Sequence, residues 1–64
     1  MKQIELGNAR VGEKYKITWA WDAELVGEVA VVGFTSQYND IGVNFMKVCG
    51  KVITSDDDVL IVKE

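Results

Sequence analysis

The sequence predicts a single all-β domain of five or six short, bent antiparallel strands. Residues 15 to 21 (Tyr, Lys, Ile, Thr, Trp, Ala, Trp) carry a large apolar or aromatic side chain at every odd position. Such alternation is the period of a strand whose side chains point to opposite faces. The other apolar runs are short, rich in β-branched residues and bounded by Gly, Asn or Asp, the punctuation of turns. No stretch sustains a helical period.

Each element has its own local reason. Ile4 and Leu6 alternate with Gln3 and Glu5 and form a short first strand; Gly7 and Asn8 then turn the chain. A second bend at 11–13 leads into the aromatic strand, which runs from Lys14 to Trp21. Tyr15, Ile17, Trp19 and Trp21 share one of its faces, and Lys14, Lys16 and Thr18 the other. Asp22, Ala23 and Glu24 supply a polar hairpin connection. The next strand, 25–34, is apolar on both faces and interrupted by Gly27 and Gly33. That pattern predicts a strand that bends strongly and changes faces at a bulge, or packs on both sides. Its β-branched content and two glycines argue against a buried helix.

Residues 35–40 form a polar loop with Tyr38 at its tip. Ile41, Val43 and Phe45 then alternate with Gly42 and Asn44, and the apolar phase slips to Met46 and Val48, which predicts a bulge. Gly50 makes a tight turn and 51–53 restart a short strand. Residues 54–58 suit one turn of 3₁₀-helix begun by a Ser or Thr cap. A last strand covers 59–62.

In layout the chain resembles an SH3-like barrel. The resemblance rests on the turn at 11–15 entering a long strand, the central strands 25–34 and 41–49, and the turn at 54–58 before the terminal strand. It covers most of the chain and implies a small barrel. It carries over no functional residue, because the proline-peptide face of that family combines aromatics with an acidic loop and a proline, and this chain has no proline. An OB-fold needs more length and a helix between strands.

Sixty-four residues make one domain, 1–64. At 48% hydrophobic and 27% charged residues the composition is that of a globular chain. The expected core draws on Ile4, Leu6, Val11, Ile17, one or both tryptophans, Val29, Val31, Phe34, Val43, Phe45, Val52, Ile53 and Ile61. A chain this short buries only about 60% of its unfolded surface, so a site is expected in a surface groove or patch. The net charge of −3 opposes a function based on gripping phosphates. It is too weak for a nucleic-acid mimic, whose acidic face is denser than the run Asp56, Asp57, Asp58. A single cysteine, Cys49, excludes an intramolecular disulfide. Residues 1–6 lack an apolar signal core and 29–34 are too few to cross a bilayer, so a cytoplasmic protein without membrane contact is expected.

The tryptophans head the candidate sites. Four large side chains on one strand exceed what so small a core readily covers, so Trp21 at the strand end, and Trp19, are candidate exposed anchors for a partner, with Tyr38. The competing reading puts both tryptophans in the core. Lys14, Lys16, Lys47 and Lys51, with an aromatic nearby, make the alternative candidate, a platform for single-stranded nucleic acid. Their ordinary reading is a solvated face that discourages edge pairing. The Asp56–Asp58 run lacks the ligand spacing of a calcium loop, and with Asp22, Glu24 and Asp40 it can form an acidic patch for a basic protein. Cys49 reads as a small buried side chain, and activation of its thiol would fall to Lys47 or Lys51.

Histidine is absent, as are a zinc-type cysteine pair and a glycine-rich phosphate loop, which removes the usual general base and metal ligands. The expectation is therefore no enzyme, no cofactor and no metal. The leading functional expectation is a non-catalytic protein-interaction module, such as a phage-type accessory protein that binds and modulates or inhibits a host protein. The alternatives are a nucleic-acid-binding barrel and a homodimer paired through the strand edge at 59–62.

Overall fold

The computed structural model describes residues 2–36 and 41–64, so Tyr38 and Asp40 lie outside the described residues. In chain order the elements are β1 (Ile4–Glu5), the 3₁₀-helix η1 (Leu6–Asn8), β2 (Lys14–Ala20), the 3₁₀-helix η2 (Ala23–Leu25), β3 (Val29–Val31), β4 (Gly33–Thr35), β5 (Val43–Val48), β6 (Lys51–Thr54) and β7 (Val59–Lys63). The strands form two antiparallel sheets, ordered β1-β7-β2-β3 and β4-β5-β6. Neither sheet closes on itself. All-β architecture thus holds, with more and shorter strands than the sequence predicts.

The expected bend within 25–34 sits at Val32. This one residue separates β3 from β4 and carries the chain from one sheet into the other. Its side chain is fully buried. Its N–H donates to the Glu13 carbonyl (3.0 Å) and its carbonyl accepts from Gly12 N–H (2.7 Å), so leaving the ladder orphans neither backbone group. The first part of the predicted strand is not a strand. Asp22 caps η2 by accepting from Glu24 N–H (3.1 Å), and Leu25 drops fully buried into the core. Gly27, at φ +95°, donates its N–H to the Ile17 carbonyl (2.8 Å), which a residue with a Cβ would do only under strain.

A bulge in β2 resets which side chains face inward. Ile17 pairs with Ile61, but Trp19 pairs with Leu60, leaving Thr18 as the extra residue. The Thr18 hydroxyl donates to the Leu60 carbonyl (3.2 Å) and accepts from Gln3 Nε2 (2.7 Å), which holds the irregularity in place. Before the bulge Tyr15 and Ile17 point inward; after it Ala20 does. The alternation predicted through residue 21 therefore fails at Thr18, and both tryptophans leave the core.

The core comprises Leu6, Tyr15, Ile17, Ala20, Leu25, Val32, Met46, Val48, Ile53, Val59 and Ile61, with Ile4, Ala9 and Ala30 packed on it. Val11, Val29, Val31, Phe34 and Val52, expected inside, are exposed. For β3 the reason is position: it is the edge of its sheet, and Val29 and Val31 oppose the exposed Lys16 and Lys14. The phase slip after Phe45 needs no bulge, since β5 keeps continuous register with β4 over 43–45 and with β6 over 45–48. Met46 and Val48 face the core, while the Phe45 ring covers the cross-strand Gly33, where a Cβ would meet it at 2.6 Å.

Two local expectations are corrected. Residues 54–58 form a hydrogen-bonded turn and not a 3₁₀-helix: Asp57 N–H donates to the Thr54 carbonyl (3.0 Å) and the Asp57 carboxylate accepts from Thr54 N–H (2.9 Å). The β5–β6 turn uses Cys49 (φ +52°) and Gly50 (φ +75°), the paired positive φ of a two-residue type I′ hairpin. β7 lies between β1 and β2, so 59–62 is an inner strand and not the free edge that the homodimer expectation requires.

Candidate functional site

The bulge at Thr18 turns Trp19 outward, and Trp19 there lines a surface concavity. Glu5 opposes Leu60 on one side of β7, and Trp19 opposes Leu60 on the other, so the three form one cross-strand row over β1, β7 and β2. The turn at 54–58 rises at one end of this row. Together they bound a shallow, open groove of about 480 Å³ lined by Glu5, Trp19, Ser55, Asp57, Asp58, Val59 and Leu60. Leu60 supplies apolar surface beside an indole 51% exposed, Val59 being turned into the core, and three carboxylates complete the lining. No lysine or arginine lines it.

The three carboxylates differ in their commitments. Asp57 closes the turn through Thr54 N–H. Glu5 and Asp58 make no ion pair among the described residues, where the ion pairs are Lys51–Asp22 and Lys63–Glu13. Both are exposed, so their charge faces the groove mouth or solvent.

Trp21 lies just beyond β2 and is 55% exposed. It flanks the inward-pointing Ala20 opposite Trp19 in sequence, but it does not line the groove. The third expected anchor, Tyr38, lies outside the described residues.

The four lysines do not share a sheet. Lys14 and Lys16 stand on β2 and oppose Val31, Val29 and Val62, so their surroundings are apolar. Lys47 stands on β5 between the buried Met46 and Val48 and hence faces outward from the other sheet. Lys51, on β6, is bound to Asp22 (2.9 Å). That bond raises the Lys51 pKa and, with the backbone N–H of Glu24, holds the Asp22 carboxyl below its usual range.

Cys49 is exposed, contrary to the expectation of a buried side chain, because the type I′ turn projects it from the hairpin tip. Its thiol donates to Glu28 Oε1 (3.4 Å), and this bond to a carboxylate pushes the thiol pKa up. The environment thus favours the thiol over the nucleophilic thiolate. Among the described residues no group of three His, Cys, Asp or Glu side chains gathers to hold a metal, and no helix is long and apolar enough to cross a membrane.

Sequence reasoning finds the tryptophans but not the groove. Glu5, Asp58 and Leu60 become neighbours of Trp19 through strand register and a bulge, and neither leaves a mark in composition or periodicity. Comparison with protein-family models, with curated proteins and with solved structures gives no significant match.

Proposed function

We propose that this chain is a non-catalytic protein-interaction module on an open, SH3-like arrangement of two sheets. The arrangement is supported by the strand run that passes between sheets at Val32 and by the tight turn between β6 and β7. The functional reading is carried by one observation: Trp19 and Trp21 are both about half exposed. Indole is a costly group to leave in water and is enriched at binding hot spots, where it supplies large rigid contact area. A protein with so small a core that spends neither tryptophan on it has another use for them.

The lysine arrangement favours this reading over nucleic-acid binding. Phosphate recognition needs cations converging on one track, whereas these four are divided between two sheets and one is ion-paired. The test is capture of a partner by the tagged chain after nuclease treatment, using native protein, Trp19→Ala and Trp21→Ala. Retention by the native chain with loss in at least one folded variant supports the module. Capture that disappears with nuclease transfers the function to the lysines.

A further inference from the structure

We infer that the groove beside Trp19 is a receptor for an arginine side chain presented by an extended segment of a protein partner. The inference rests on the reading of Trp19 as a binding anchor and adds the chemistry of what it binds. Two features of the groove select the same ligand. The half-exposed indole offers a π face, which attracts cations. The rim holds Glu5, Asp57 and Asp58 with no lining cation, so a carboxylate or phosphate ligand would meet uncompensated like charge.

Among cationic groups the guanidinium fits best. It is planar and weakly hydrated, stacks on aromatic faces and bonds carboxylates through a fixed fork. An ammonium is a strongly hydrated point charge that gains less from the indole. The partly exposed Leu60, which shares the cross-strand row with Trp19, suits the methylene stem of the arginine, which covers apolar surface while its head reaches the rim. Glu5 and Asp58 stand at the rim without ion pairs, so binding displaces no existing partner. Asp57 contributes charge but stays tied to Thr54.

The probe is the peptide acetyl-Gly-Arg-Gly-amide, titrated into the ¹⁵N-labelled full chain, with the citrulline peptide as its neutral, nearly isosteric control. The expected result is a saturable shift of the Trp19 indole N–H on the order of millimolar half-saturation. The Trp21 indole should move little, and citrulline should have no effect. Raising salt from about 0.05 to about 0.5 M should weaken binding several-fold, because exposed charges are screened. The double variant Glu5→Gln, Asp58→Asn should weaken it roughly tenfold, since two charge-assisted contacts become neutral.

Equal shifts with arginine and citrulline, or none at about 10 mM peptide, overturn the arginine assignment. The wider reading is scored separately by partner capture. Loss of capture in Trp19→Ala with normal capture by the Glu5→Gln, Asp58→Asn variant removes the cationic chemistry and keeps the module. Undiminished capture by both Trp19→Ala and Trp21→Ala removes the tryptophans as anchors, and no capture by the native chain after nuclease removes the module itself.

Discussion

Leu25→Ala tests the feature of this fold least visible in its sequence, the insertion of η2 into the core. Leu25 is fully buried although it belongs to no strand. Truncation removes three carbon groups at about 0.8 kcal/mol each, or about 2.4 kcal/mol of transfer free energy. A void of about 50 Å³ that does not collapse adds about 1 kcal/mol at about 24 cal/mol per Å³. The expected loss is therefore about 3–4 kcal/mol. For a chain of 64 residues, total stability at typical values is only about 3–10 kcal/mol, so the variant should stand near the edge of folding. Urea unfolding followed by far-UV circular dichroism measures this: with a slope of about 1 kcal/mol per M, the midpoint should fall by about 3 M. The neighbouring Val26, which is exposed, is the control, and Val26→Ala should cost less than about 1 kcal/mol. A Leu25→Ala loss below about 1 kcal/mol, or equal losses at both positions, would refute the burial of η2 and with it the path of 22–28 along β2.

Trp19→Ala and Trp21→Ala should each change stability by less than about 1 kcal/mol, far below the about 3–5 kcal/mol of a core tryptophan; a thermal scan showing the larger loss in either would return it to the core. Cys49→Asn should stabilise by up to about 1 kcal/mol, since Asn tolerates the left-handed conformation that position 49 adopts better than Cys does; a lower urea midpoint would argue against the type I′ turn. Thr18→Val should cost about 1 kcal/mol by removing the hydroxyl that bonds the Leu60 carbonyl, and an unchanged midpoint would mean the bulge stands without it. The Glu13 carboxyl is held below its usual range, first by the hydrogen bond from Lys63 and also by the nearby Lys63 and Arg10 charges. A depressed carboxylate contributes stability above its unfolded pKa and loses it as pH falls through the folded value. The Glu13–Lys63 contribution should therefore be present at neutral pH and vanish on acidification below the carboxylate range. In an NMR titration Lys63→Gln should move the Glu13 midpoint upward; an unmoved midpoint would mean the pair does not form in solution.

Much of the fold can be read locally. The period of two at 15–17 and 59–61, the glycine at the 49–50 hairpin and the conflict of faces in 25–34 all have their counterparts in the structure. The candidate site is legible only in its tryptophans. Its acidic rim combines Glu5 with Asp57 and Asp58, which lie more than fifty positions away in the chain, and β7 joins them.

Alternation, β-branched content and turn residues are consequences of backbone conformation, and each acts over a few residues. For that reason the sequence alone determines that this chain is all-β, where most of its turns fall and that it bends somewhere within 25–34. Which face of each strand is inside depends on register, and register is settled between strands. One extra residue at Thr18 sends Trp19 to the surface and Ala20 to the core, while Leu25, outside any strand, is fully buried. Tertiary structure decided these things because a core of this size admits a few side chains that fit one another, and fit is a property of the assembled sheets.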